Sequence, residues 1–196
     1  MNEKPILFSG PMVRAIFDGR KTQTRRVLKK QPPFRWRFQE WVNSLARFAY
    51  QNPSFDWFEI KCPYGKVGDR LWVRETHATV AVPRGTTANS FITVYRADNP
   101  QGLLVPNKWK PSIFMRRHDS RITLEITGVR VEWLQDISEA DARAEGIELT
   151  DDITGCADDL DGSYRKAFSY LWDKINGKKH PWASNPWVWV IQFKKV

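Results

Sequence analysis

Gly19-Arg20-Lys21-Thr22-Gln23-Thr24-Arg25-Arg26-Val27-Leu28 decides how the fold of this chain is read. Glycine enters the left-handed backbone region without strain, so Gly19 reads as the residue that ends a helix. Thr22 to Leu28 then reads as the next strand. On a strand Thr22, Thr24 and Arg26 share one face, and Gln23, Arg25 and Val27 share the other. Lys21 joins the face of Thr24 only if it sits in the turn, before regular pleating begins. The segment then holds an ammonium, a hydroxyl and a forked guanidinium against an apolar wall. That constellation suits a nucleobase or an acyl group attached to one.

Upstream, residues 5–8 read as a short strand, and Ser9 can cap a helix whose first turn tolerates Pro11. Val13, Ile16 and Phe17 give that helix an apolar stripe. Downstream, Cys62 to Asp69 is a turn region and Arg70 to Glu75 a strand. Phe91 to Arg96 is another strand, followed by a proline-rich loop at 100–111. Ile122 to Val131 alternates as a long strand, with Ile122, Leu124 and Ile126 on one face. Ser138 caps a short helix with an acidic first turn that ends at Gly146. Tyr164, Ala167, Phe168, Leu171, Trp172 and Ile175 recur at helical spacing over 163–176. Trp187, Trp189, Ile191 and Phe193 form one face of a last strand. Residues 30–62 interleave aromatics with Arg35, Arg37 and Arg47 and read as an insertion with one short helix near 39–48. They make either a small local core or a stacking platform for bases.

Strands and helices do not alternate as in a parallel α/β sheet. Five or six strands with helices packed on the ends of a mixed β-barrel fit better, an α+β class. The length of 196 residues suits one domain over 1–196, with insertions at about 30–62 and 97–118. No apolar run of about 18 residues exists, so no transmembrane helix and no membrane partner are expected. Met1-Asn2-Glu3-Lys4-Pro5 lacks the basic and apolar blocks of a signal peptide, which points to the cytoplasm. There Cys62 and Cys156 are expected as free thiols. His77, His118 and His180 lack metal-ligand spacing, and no cofactor is called for. The net charge is +9. Residues 14–37 hold nine cations against Asp18 alone, whereas 136–161 are acidic. Such polarity means either a polyanion partner or a solvated face.

Gly19-x-Lys21-x-x-Thr24-x-Arg26 resembles the signature of the ASCH domain, a relative of the PUA fold. The usual form is Gly-x-Lys-x-x-Glu-x-Arg, and Thr24 departs from it. The departure is similar to a subgroup, the small bacterial ASCH-type amidohydrolases that deacetylate N4-acetylcytidine, which carry Gly-Arg-Lys-Thr-x-Thr-x-Arg. Gly68-Asp69-Arg70-Leu71-Trp72-Val73, the strand Ile122 to Val131, the helix Asp136 to Gly146 and the strand Trp187 to Phe193 resemble family elements in the same order. The likeness covers about half of the chain, leaving out 30–62, 97–118 and the helix 163–176. The chain also looks like phage and prophage proteins of this type.

The resemblance implies a PUA-like ASCH barrel and an amidohydrolase acting on N4-acetylcytidine or a related modified nucleoside. Its catalytic glutamate falls on Glu145. Lys21, Thr24 and Glu145 are then the catalytic set, and Arg26, Thr22, Trp72 and Tyr95 the substrate-binding set. Thr24 offers a nucleophile, Lys21 a base if desolvation and Arg26 lower its pKa, Glu145 a proton donor and Arg26 an oxyanion partner. Each residue keeps a plainer alternative. Lys21 can be a solvated turn lysine, Thr24 a β-former, and Arg26 the partner of Glu75 or Glu125. Glu145 can be a surface acid, and Trp72 and Tyr95 core aromatics. Two other functions stay open, a non-catalytic RNA or modified-nucleic-acid binding module and a phage accessory or morphogenesis protein.

Overall fold

A computed structural model describes residues 2–32, 36–42, 45–50, 57–84, 88–99, 106, 108–149 and 163–196. In chain order the elements are β1 (Glu3–Leu7), α1 (Gly10–Phe17), β2 (Gln23–Val27), β3 (Trp36–Val42), β4 (Leu45–Tyr50), β5 (Trp57–Lys61), β6 (Arg70–Arg74), β7 (His77–Arg84) and β8 (Ala88–Tyr95). Then follow β9 (Thr123–Trp133), α2 (Glu139–Ala144), α3 (Tyr164–Asn176) and β10 (Trp187–Lys195). The described residues thus form a mixed α+β fold of ten strands and three α-helices. Among them no helix is long and apolar enough to cross a membrane.

The main sheet has the order β1-β6-β9-β10-β2. Its first pair is parallel and the others are antiparallel. β10 lies inside this sheet because both of its faces are apolar. Trp187, Trp189, Ile191 and Phe193 enter one core with Ile6, Leu71, Ile122, Leu124 and Ile126. Val188 and Val190 enter a second core with Ile137, Ala142, Phe168 and Trp172. Each large side chain removed from water in this way stabilises the fold by roughly 1.5–3 kcal/mol. No backbone ladder joins the edge strands β1 and β2 among the described residues. Instead the Arg26 Nη2 donates to the Leu7 carbonyl at 2.6 Å, spanning the gap.

The helix expected near 39–48 is absent. Those residues lie in β3 and β4, which pair with β5 in a three-stranded sheet. The period there is two: Ala46 and Phe48 are fully buried, while Leu45 and Arg47 stay partly exposed. The Phe48 ring meets Trp187 edge-on at 5.0 Å, so the insertion shares the main core. Arg47 pairs with Glu59 at 2.6 Å. Phe34, Arg35 and Phe55 lie outside the described residues, as does Cys156. Cys62 is a buried free thiol. The strand expected at 91–96 is β8, paired along its length with the unforeseen β7. Ser9 stands at the N-cap of α1, but its hydroxyl makes no capping bond; only its carbonyl accepts, from Val13 N–H at 2.9 Å.

Candidate active site

α1 stops at Phe17, and Gly19 turns the chain with φ +73°. The Lys21 N–H then donates to the Ala15 carbonyl at 2.9 Å, which fixes Lys21 against the last turn of α1, ahead of the first residue of β2. From the other side comes α2, whose N-cap Ser138 accepts from Asp141 N–H at 3.1 Å. Glu145 follows its last turn and forms an isolated antiparallel bridge with Lys21. Gly146 leads the chain away with φ +80°. A Cβ there would lie 2.7 Å from the Lys21 Cβ and 2.8 Å from the Ala15 Cβ, so only glycine permits this approach. Lys21 Nζ consequently donates to the Glu145 Oε2 at 2.9 Å and to its carbonyl at 2.8 Å. The lysine side chain is fully covered, and the glutamate side chain is 5% exposed.

The second Glu145 oxygen accepts from Arg25 Nη1 at 3.2 Å. Arg25 also holds Glu132 (Nε 3.0 Å, Nη2 2.5 Å) and reaches Asp141 at 3.2 Å. Arg130 ties Glu132 to Asp141 with two contacts of 2.9 Å, and Gln23 donates to Asp141 twice. Lys21, Arg25 and Arg130 thus balance Glu132, Asp141 and Glu145 in one network. Removing one member of such a buried set leaves an uncompensated charge, at a cost of about 3–5 kcal/mol. Burial pushes the Lys21 ammonium below the ordinary lysine range against the attraction of Glu145; Arg26 and Arg25 push the same way. Burial works against ionised Asp141, but the Gln23 hydrogen bond and the Arg130 and Arg25 charges prevail and hold its carboxyl below the usual range.

A cavity of about 200 Å³ opens beside this network. Thr24, Arg25, Arg26 and Glu145 line its polar side, and Met12, Phe168, Leu171, Trp172 and Ile175 its apolar side. Small-molecule sites commonly span about 300–1,000 Å³, so this hollow suits a single ring and not a dinucleotide. The Thr24 hydroxyl has no hydrogen-bond partner among the described residues. Arg26 lies over the Phe8 ring at 5.4 Å, and its buried Nε has no partner among them. The acids weighed as its partners are engaged elsewhere, Glu75 with Arg121 at 2.9 Å and Glu125 with Lys194 at 3.3 Å.

Lys21, Thr24, Arg26 and Glu145 therefore come together, with Lys21 beneath Glu145 and outside the cavity lining. Lys21 Nζ also sits 5.4 Å from the centre of the Phe8 ring, so the two cations share one aromatic ring. Three other residues named from the sequence lie apart. Thr22 is exposed and borders a different hollow with Asp18 and Arg143, because strand alternation does not hold where Lys21 bridges Glu145. Trp72 lies on β6, three strands from β2, packed under the Arg74 guanidinium at 5.1 Å. Tyr95 ends β8, gives its hydroxyl hydrogen to the Asp119 carbonyl at 2.8 Å and stacks on Arg121 at 3.9 Å. Arg25 and the α3 wall went unnoticed in the sequence. Arg25 had a signal, its place two residues from Gln23 on one face of β2. Phe168, Leu171 and Trp172 carry only the periodicity of ordinary core. Among the described residues no three His, Cys, Asp or Glu side chains are placed to hold a metal ion. No family model, curated protein or solved structure matched the chain.

Proposed function

We propose that the chain is an ASCH-type, PUA-like amidohydrolase that removes the acyl group from N4-acetylcytidine or a related modified nucleoside. The carrying observation is the convergence of Thr24, Arg26 and Glu145 on one small cavity, with buried Lys21 paired to Glu145 beneath it and Arg26 without an acidic partner. A proton moved along the 2.9 Å bond between Lys21 and Glu145 leaves a neutral amine at one end and a carboxylic acid at the other. Burial, which disfavours the Lys21 charge, favours that shift.

In the first step Thr24 Oγ attacks the acyl carbon and its proton passes to the Lys21 amine. The oxyanion that forms meets the Arg26 guanidinium, which lines the cavity. Collapse breaks the bond to N4, which takes a proton from Glu145 and leaves as cytidine. Water then cleaves the Thr24 ester, releasing acetate and restoring the hydroxyl. The barrel architecture belongs to the same reading. Its support is the close approach of β1 and β2 around one core, bridged by Arg26 at the Leu7 carbonyl.

Ultraviolet absorbance of purified protein with N4-acetylcytidine tests this. Turnover is expected, reduced about 10²–10⁴-fold in Lys21→Ala and strongly in Thr24→Ala. A second reading rests on the +9 charge, that the chain binds RNA without chemistry and seats an unstacked base in the same cavity. Absence of turnover together with salt-dependent RNA binding would select it.

A further inference from the structure

A second hollow lies beside the cavity. This outer hollow of about 460 Å³ shares Met12, Glu145, Leu171 and Ile175 with it, so the two spaces are adjacent. Its charged lining is Arg14, Arg20, Lys174, Glu145 and Glu148. Glu145 is engaged by Lys21 and Arg25, and Glu148 by Arg20 at 2.7 Å. Arg20 is further neutralised by Asp18 at 2.7 Å. Arg14 and Lys174 are left over. Arg14 donates only to the Ala97 carbonyl at 3.1 Å, and neither residue has an acidic partner among the described residues. The outer hollow thus carries two cations without an acidic partner, one from α1 and one from α3, beside an inner space sized for one ring; Arg20 faces two carboxylates, so the lining is net positive by one charge. A phosphomonoester carries about −1.5 to −2 at neutral pH and accepts hydrogen bonds from such groups.

We propose that the outer hollow is a phosphate subsite and that the substrate is an acylated nucleoside monophosphate, its base inside and its phosphate between Arg14 and Lys174. The proposal rests on reading the inner cavity as the acylcytosine site. The apolar strip of Met12, Leu171 and Ile175 common to both spaces is where the sugar would lie.

Binding of cytidine and of its 5′- and 3′-monophosphates to the full chain is measured by calorimetry at low and at high salt. Alongside it, turnover is compared for N4-acetylcytidine, its monophosphates and a short oligonucleotide carrying the same base. One monophosphate is expected to bind roughly tenfold tighter than cytidine, with the advantage shrinking in salt. Arg14→Ala and Lys174→Glu are each expected to bring that ratio near one. Lys174 is exposed and without partners, so its variant tests the subsite even if loss of the Arg14 tie to Ala97 disturbs the fold. A monophosphate preference without hydrolysis supports the subsite and removes the hydrolase reading. Turnover of the nucleoside with no gain from a phosphate overturns the subsite and leaves that reading in place. Equal affinities in the unaltered protein, a ratio indifferent to both variants, or preference for the oligonucleotide alone each overturn the proposal.

Discussion

Gly146 is held at φ +80° with the Lys21 and Ala15 side chains pressed against the space a Cβ would fill. Gly146→Ala is therefore expected to lose about 1–3 kcal/mol of stability through overpacking and strain. It should also push Lys21 away from Glu145. Urea unfolding with an unchanged m-value checks the first effect, and turnover checks the second. Lys21 itself has a pH signature. Its folded pKa is lowered by burial, so the unfolded chain binds more protons between that value and the ordinary one near 10.4. Stability contributed by this position therefore rises with pH across that window. Urea midpoints of the native chain and Lys21→Met, followed from neutral to alkaline pH, should shift in favour of the native chain. Parallel curves would mean that Lys21 is not depressed. The order Gly19, Lys21, Thr24, Arg26 was legible in the sequence because backbone turn chemistry and side-chain type agree there. Arg25 was not, since nothing local says that Glu132, Asp141 and Glu145 arrive from more than a hundred residues away to neutralise it.

α3 forms the apolar wall of the cavity, and its position depends on one acid from α2. Glu139 accepts from Ser163 Oγ at 2.6 Å, from Tyr164 N–H at 2.8 Å and from Arg165 N–H at 3.3 Å, closing the N-terminus of α3. The Ser163 hydrogen bond is the main reason its carboxyl lies below the usual range. A depressed carboxylate contributes stability above the unfolded value near 4.3 and loses it as pH falls through the folded value. Glu139→Ala is expected to lower stability by about 1 kcal/mol at neutral pH, the usual size of a helix cap. The gap should close in acid, read as thermal midpoints across the acidic range. A constant gap would assign the loss to something other than the ionised cap. The periodicity of α3 and the alternation of β9 were plain in the sequence because each element has one buried face. β3 and β4 were not, since the register shifts between Phe38 and Glu40 and breaks the period of two. β7 was missed because His77-Ala78-Thr79-Val80-Ala81-Val82 carries little contrast between faces, and among the described residues its only strand partner is β8.

At the scale of the whole molecule, β10 is the strand that two cores share. Val188 and Val190 belong to the core beneath α2 and α3, and Trp189 and Ile191 to the core inside the main sheet. It also pairs on both edges, with β9 and with β2. Its amides cannot reach water unless both cores open, so they should exchange only through global unfolding. The β7–β8 hairpin is the opposite case. It is two-stranded, and Phe91 and Ile92 are 71% and 48% exposed. Such a ribbon has little stability of its own. Its base is nonetheless tied down, by His77 bridged to Lys110 and by Tyr95 bonded to Asp119. Native-state hydrogen exchange should therefore grade along the hairpin. Amides near His77 and Tyr95 should be protected, and those near Val80 and Phe91 should exchange through local opening with little dependence on denaturant. Protection of Phe91 equal to that of Val190 would show the hairpin to be part of the cooperative core. A β10 that opened before the hairpin would refute the placement of this strand between two cores.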